Sequence, residues 1–310
     1  MSLDWTHRLR LRNLQFLLSL AQTGNMSQSA EALHTTQPGL SKWLKELEDD
    51  VGLPLFERHA RGLRPTSYGV ALIEHARRID AHLNTARDDM RLMREGGAGL
   101  VTIGFFGASS VDTVPMAVLR IMEQLPDAHI RLLENKSDAL MEALGTGEMD
   151  VVVGPSEMVS NNALVRTENL YTEPIHLVAR AGHPIFEKNH ISWEDVFDYP
   201  WALWAKGTPV RMAFDKVLHE LGYAVPPNHV ESNSATLTTT LLLHSDMIGV
   251  TSQRPALRYS RLKLLSLIPL NLSAFGSVSL YWREDALERP AVNATVNAIR
   301  QVVREFGGAI

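Results

Sequence analysis

The chain of 310 residues contains no cysteine, which excludes disulfide bonds, thiolate metal sites, a cysteine nucleophile and a thiol redox sensor. No apolar run approaches the roughly 20 residues that a membrane-spanning helix needs. The N-terminal residues mix acids and arginines and lack the apolar segment of a secretory signal. We therefore expect a cytoplasmic protein with no membrane association, and the length predicts two or three domains.

Sequence motifs of common enzymes and metal sites are also missing. A GxGxxG loop, a Walker loop, HExxH and GxSxG do not occur. The histidines are scattered, and His183 and His190 are the one spaced pair that invites a metal hypothesis, which their predicted loop position disfavours. The pattern predicts no metal site and no cofactor. An enzyme is the rival class of function, but the sequence shows no nucleophile–base pair.

The net charge of −5 argues at first against nucleic acid as a partner. The charges are unevenly distributed, because the first 66 residues carry eight Lys or Arg against seven Asp or Glu. This segment is only weakly basic. Any prediction of DNA binding therefore depends on where its charges lie.

Three short helices are predicted in this segment. Apolar residues recur at helical spacing over 11–21, and Gly24 ends that helix. Ser27 is the predicted N-cap of the second helix. Thr36 precedes a third helix whose first turn holds Pro38, where the missing N–H costs nothing. The arrangement is typical of a helix-turn-helix.

A basic hairpin, or wing, is predicted to follow the third helix, with Gly62 in its turn. The third helix begins with polar side chains that suit base edges and phosphates, and its acids are confined to the far end. The alternative is a helical bundle whose charges are merely solvated. The charge placement favours double-stranded DNA as the partner. The predicted DNA-binding residues are Ser27, Thr36, Gln37, Pro38, Ser41, Lys42, Arg58, Arg61 and Arg64.

Residues 27–69 resemble the conserved motif of LysR-type transcriptional regulators, with the sequence SQSAEALHTTQPGLSKWLKELEDDVGLPLFERHARGLRPTSYG. The chain departs from the family pattern at Ser29, Gly39, Lys42 and Pro65. Lys42 stands where the family more often has arginine. It keeps the positive charge but cannot donate the paired hydrogen bonds of a guanidinium. Gly39 lowers helix propensity by up to about 1 kcal/mol. The resemblance implies a DNA-binding regulator, and not an enzyme.

Residues 67–95 predict a dimerising linker helix. Apolar residues separated alternately by four and three positions form a heptad seam, which indicates a coiled coil more than simple core packing. We expect a homodimer or a homotetramer, as the resemblance also implies. The seam consists of Leu72, Ala76, Ile79, Leu83, Ala86, Met90 and Met93.

Residues 96–310 predict an α/β effector-binding domain. Strand-like runs alternate with helical stripes, which indicates largely parallel sheets with ligands at the carboxyl ends of strands. The resemblance implies a two-lobed fold like that of type 2 periplasmic binding proteins. Lobe I is expected over about 100–171 and 273–310, and lobe II over about 172–272. A periplasmic solute-binding protein is a further rival, disfavoured by the helix-turn-helix over 1–66.

Hydroxyl groups near predicted strand ends and helix starts suggest how a ligand is held. Helix N-termini attract anions without a formal positive charge. The alternative is that these residues are ordinary caps, but the implied fold brings several of them to one cleft. We therefore expect a small organic effector, a carboxylate or another small anion, with Arg211 either assisting or lying on the surface. The predicted effector-binding residues are Ser109, Ser110, Ser137, Pro155, Thr208 and Thr251.

Overall fold

The computed structural model describes residues 5–59, 62–94, 99–107, 112–160, 162–272 and 275–307. The chain forms two compact units. The first is Met1–Leu100 with Gly145–Glu148, and the second is Val101–Leu144 with Met149–Ile310. Across the ranges just given, every helix is too short or too polar to cross a membrane.

The first unit begins with three helices, α1 (Leu11–Thr23), α2 (Met26–Ala32) and α3 (Gln37–Val51). Thr36 caps α3, since its Oγ1 accepts a hydrogen bond from the Gly39 N–H at 3.3 Å. The prediction that Ser27 caps α2 is wrong. Asn25 is the cap, because its Oδ1 accepts from the N–H groups of Ser27 and Gln28 at 2.9 and 3.2 Å. Asn25 and Ser27 are both good N-cap residues near the start of α2, and the structure uses Asn25.

Strands β1 (Phe56–His59) and β2 (Gly62–Pro65) form the antiparallel wing. The Leu63 N–H donates to the Gly24 carbonyl oxygen at 2.7 Å, which ties the wing to the end of α1. The Glu48 carboxylate of α3 accepts from the backbone N–H groups of Leu55 and Phe56 at 2.7 and 3.0 Å. One acid at the far end of α3 therefore holds the start of the wing.

The long helix α4 (Ser67–Arg94) follows the wing directly. Its start is fixed by Thr66, whose Oγ1 accepts from the Gly69 N–H at 3.0 Å and donates to the Pro54 carbonyl at 2.7 Å. Gly69 is required here, because a Cβ would overlap the Leu55 carbonyl oxygen. The core of the unit comes from α1, α2, α3, the wing and the first turns of α4.

The second unit contains an extended sheet with the strand order β4-β3-β5-β11-β6-β9-β7-β8, and β10 pairs with β6. The long strand β6 pairs with β11 through Pro174 and with β9 from Ile175. We call the half on the β11 side lobe I and the half on the β9 side lobe II. The strands are β3 (Leu100–Phe105), β4 (His129–Glu134), β5 (Val151–Pro155), β6 (Val165–Arg180), β7 (Trp201–Trp204), β8 (His229–Ser232), β9 (Ile248–Ser252), β10 (Leu265–Leu267) and β11 (Phe275–Arg283).

Helices pack on both halves of this sheet, and each half encloses its own buried cluster. The sheet is mixed, not largely parallel as predicted. Pairs β3–β5, β7–β8 and β7–β9 are parallel, whereas β6 and β11 run antiparallel to their neighbours, because one connects the lobes and the other returns. The helices are α5 (Thr113–Gln124), α6 (Ser137–Thr146), α7 (Trp193–Phe197), α8 (Pro209–Glu220), α9 (Ala235–Leu243), α10 (Gln253–Arg261) and α11 (Pro290–Gly307).

Candidate functional site

The start of α3 and the wing bring predicted DNA-binding side chains together. Arg58 of β1 donates from Nη2 to the Ser41 Oγ of α3 at 3.5 Å. Gln37 and Lys42 are exposed on α3, and Arg64 is exposed on β2. The two elements therefore present hydroxyl, amide and cationic groups on neighbouring exposed positions.

The remaining predicted residues of this face are distributed as follows. Ser27 is exposed near the start of α2, and Thr36 and Pro38 are exposed at the start of α3. Arg61 lies outside the described residues. Lys42 forms an exposed ion pair with Glu46 one turn later, at 3.7 Å. Because both partners are highly solvated, this pair holds Lys42 only weakly and leaves its charge available.

An apolar surface on α4 is exposed in the single chain. Leu72 and Ala76, the first two residues of the heptad seam, pack into the unit's own core. Three later residues of the seam, Ile79, Leu83 and Met90, are 41%, 42% and 61% exposed. The start of the seam therefore packs within the winged domain, whereas Ile79, Leu83 and Met90 remain exposed to solvent.

A groove of about 480 Å³ continues this surface between α1 and α4. Leu11 at the start of α1 is 58% exposed and lies at the groove, as does Ile79 of the seam. Ile79 belongs to both the groove and the exposed part of the seam, so the two adjoin within the unit. The groove is lined by Trp5, Thr6, Leu9, Arg10, Leu11, Leu14, Leu72, His75, Ala76 and Ile79.

The predicted effector-binding residues of lobe I are only partly described. Ser109 and Ser110 lie outside the described residues. Ser137 is the first residue of α6 and is half-buried, and the helix's first backbone bond is accepted by the Lys136 carbonyl, so Ser137 does not cap α6. Pro155 is buried at the end of β5, where its carbonyl accepts from the Tyr281 hydroxyl at 2.6 Å.

The predicted residues of lobe II lie at two strand ends. Thr208 is the N-cap residue of α8, and its Oγ1 donates to the Ala205 carbonyl at 2.8 Å instead of accepting from the helix. Thr251 is half-buried, one position before the end of β9, and pairs with His176 of β6. Burial lowers the pKa of His176, and a hydrogen bond with Gln253 partly opposes this.

Arg211 is neither a surface residue nor available to a ligand. The residue is 1% exposed. Its Nε donates to Asp215 at 2.7 Å, and its Nη1 donates to the Trp204 carbonyl and to Glu231 at 3.0 and 3.2 Å. The pKa of Glu231 is lowered first by the Lys206 backbone N–H and then by Arg211. This arginine ties α8 to β7 and β8.

Arg254 is the charged residue that the sequence analysis missed. It lies in the first turn of α10 and is 5% exposed. Its Nη1 donates to Asp112 at 3.2 Å, and its guanidinium carbon lies 3.9 Å from the centre of the Tyr171 ring. The Tyr171 hydroxyl in turn contacts the Thr113 Oγ1 at 3.1 Å. Because α10 was not predicted from the sequence, no sequence signal distinguished this arginine.

Metal-binding chemistry finds no support in the part of the chain that the structure describes. Within those ranges, three or more His, Asp or Glu residues nowhere gather closely enough to hold an ion. The buried His183 accepts from the Ile185 N–H through Nδ1 at 3.0 Å, and so it serves the local backbone.

Comparison with known proteins gives a consistent picture. Residues 94–304 match the model of the LysR substrate binding domain, and residues 11–70 match that of the bacterial regulatory helix-turn-helix protein, lysR family. The chain is 28% identical to the HTH-type transcriptional regulator GbpR of Azospirillum brasilense, covering 94% of this chain and 86% of GbpR. It is 30% identical to the HTH-type transcriptional regulator GalR of Pseudomonas putida, covering 95% of this chain and 74% of GalR.

Among solved structures, the chain is similar to CbnR in its complex with target DNA. The TM-score is 0.63 at 20% identity, and the match covers 95% of this chain and all of CbnR (100%). At this identity, the likeness concerns the fold. It extends over both units described above.

Proposed function

Since the chain belongs to the LysR family of DNA-binding transcriptional regulators, we propose that it reads an operator through α3 and the wing. The resemblance of residues 27–69 is thereby confirmed, as is the predicted fold class. The curated relatives are named as transcriptional regulators, so this chain is a regulator and not an enzyme. Its second unit is a substrate-binding domain of that family.

The contact between Arg58 and Ser41 is the observation that carries the DNA-binding face. It brings the wing's cation to the helix that presents Gln37. A glutamine amide suits bidentate contact with an adenine edge, whereas arginine and lysine at the rim suit phosphates. We therefore assign base contact to Gln37, and phosphate contact to Lys42, Arg58, Arg61 and Arg64.

The assignment predicts two different losses. Gln37→Ala lowers discrimination between the operator and mismatched sequences by about 1–3 kcal/mol. Arg58→Ala weakens all sequences alike and reduces the slope of log K against log salt by about 0.9. Fluorescence anisotropy with DNA from upstream of the gene, against scrambled DNA at several salt concentrations, measures both. Lys216→Ala, an exposed cation of the other unit, is the control. Unchanged discrimination in Gln37→Ala would contradict the assignment.

We propose a second copy of this chain as the partner of the uncovered seam on α4. Apolar residues of the heptad seam are exposed to solvent in the single chain, and a symmetry-related second α4 helix would bury them. Pairing also places two recognition helices on two half-sites, which raises affinity beyond what one weakly basic domain achieves. A homodimer, or a homotetramer built from such dimers, is therefore the proposed state.

A small organic anion is the proposed effector, bound between lobe I and lobe II. Support comes from Arg254, a buried cation at the junction of the lobes, and from Thr251 at the nearby end of β9. Ser109, Ser110, Ser137, Pro155 and Thr208 stay proposed contacts. Calorimetry of a Ser109→Ala, Ser137→Ala double variant tests them, since it should bind the effector more weakly while retaining its DNA affinity.

A further inference from the structure

Arg254 connects the two lobes through contacts of a kind that a ligand can replace. The residue belongs to α10 of lobe II, whereas Asp112 precedes α5 and Tyr171 belongs to the lobe I part of β6. The ion pair between Arg254 and Asp112 and the stacking on Tyr171 therefore both cross between lobes. The Arg254 side chain is 3% exposed and is therefore well shielded from water at this junction.

Asp112 does not depend on this ion pair alone. The Asp112 side chain is 26% exposed, and its Oδ1 also accepts from the Thr113 N–H at 2.6 Å, as the N-cap of α5. Asp112 therefore keeps a partner and reaches water if Arg254 is taken away. The 3.2 Å separation from Arg254 exceeds the roughly 2.7–2.9 Å of a strong charge-assisted hydrogen bond. A better-placed carboxylate can compete for the guanidinium.

A second donor lies two residues before Arg254 in the chain. Ser252 is the N-cap residue of α10 and is 4% exposed, and its Oγ is buried without a hydrogen-bond partner. Its side chain does not accept from the α10 backbone either. A carboxylate has two oxygens, one for a guanidinium and one for a hydroxyl. The first-turn amides of α10 add a favourable field for the same charge.

We infer that Arg254 receives the carboxylate of the effector, and that Asp112 occupies Arg254 until the effector displaces it. This inference rests on the proposed function and names the ligand chemistry of its site: a small organic carboxylate. Ser252 donates to the second carboxylate oxygen. The exchange replaces a direct ion pair between lobes with one made through the ligand, which makes the relative position of the lobes depend on the ligand. An uncharged analogue does not displace Asp112.

Acetate, the minimal carboxylate, tests the exchange without knowledge of the natural effector. The full chain is titrated with ¹³C-labelled acetate replacing chloride at constant ionic strength, and saturable binding is followed by NMR. Asp112→Asn retains a good cap for α5 but loses the competing charge. We take the ion pair with Asp112 to occupy Arg254 in about nine-tenths of the molecules of the parent chain. Without that competition, Asp112→Asn is expected to bind acetate about tenfold more tightly than the parent chain. Arg254→Gln abolishes saturable binding.

Arg258→Gln is the matched control, because it removes an exposed cation from the same helix and should bind acetate like the parent chain. Equal acetate affinity in Asp112→Asn and the parent, or saturable binding in Arg254→Gln, overturns the inference. If circular dichroism shows that Arg254→Gln does not fold, the comparison of Asp112→Asn with the parent decides alone. Binding to the gene's upstream DNA is measured on the same samples. Intact DNA binding with unchanged acetate affinity refutes the exchange only, whereas absent DNA binding refutes the proposed function.

Discussion

The two units of the chain assemble their functional side chains over very different sequence distances. In the first unit, the side chains of Ser41 and Arg58 are in contact, and only 17 positions of sequence separate them. In the second unit, 142 positions separate Asp112 and Arg254, and their contact exists only because two lobes meet. Caps and turns therefore shape the proposed DNA-binding face, whereas the contact between the lobes shapes the proposed ligand site. Substitutions should accordingly act on one function and spare the other.

Leu83→Asp is expected to have the largest effect, and that effect should be confined to the functions of the first unit, dimerisation and DNA binding. Leu83 is 42% exposed in the single chain and lies near the middle of the seam. In a paired helix, the substitution buries like charges against each other, which costs several kcal/mol. We expect loss of dimerisation in a fragment of residues 1–95 and loss of tight operator binding by the full chain. Analytical ultracentrifugation and anisotropy measure the two results.

Arg91→Asp is the control for this substitution. Arg91 is exposed on the same helix, at a heptad position that faces away from the seam, so an acidic side chain there stays in water. It should leave dimerisation unchanged. A parent fragment that sediments as a monomer at tens of micromolar would refute the coiled-coil proposal.

Arg211→Leu tests from the side of the second unit whether a substitution in one unit spares the other. The buried guanidinium joins Asp215, Glu231 and the Trp204 carbonyl, so its loss leaves the carbonyl without this donor. Both carboxylates are more than one-third exposed and recover water, which limits the cost to about 2–3 kcal/mol. We expect a lower melting temperature for the second unit of the full chain and an unchanged affinity of the full chain for operator DNA. Unaltered calorimetric stability would show that the network contributes little.

The sequence predicted short-range features well, because one residue type often dictates one local geometry. Gly24 ends α1, and Thr36 with Pro38 opens α3, as predicted. Ser27 failed as a cap because Asn25 is an equally good cap residue two positions earlier. Propensity alone does not choose between such neighbours.

Long-range features were predicted poorly, because periodicity does not report which distant side chains meet. Arg211 and Arg254 look alike in sequence, since each lies in the first turn of a helix after a strand. One is tied to carboxylates of its own lobe, and the other reaches across to Asp112. Only the tertiary arrangement separates a structural arginine from a candidate ligand receptor. Helix α10 itself was not predicted.

Gly62→Ala has the smallest expected effect and tests how firmly the wing is held against the end of α1. Gly62 has φ 129°, and an added Cβ would overlap the Gly24 carbonyl oxygen, which belongs to the end of α1. The substitution therefore combines backbone strain with a clash between wing and helix, and we expect a cost of about 2 kcal/mol. Gly52→Ala is the matched control, because Gly52 has φ 76° but open space around it, and it should cost about 1 kcal/mol. Thermal melting of the 1–95 fragment measures both. Equal costs would mean that the wing moves to accept the methyl group, and that the hydrogen bond from Leu63 to Gly24 does not fix its position.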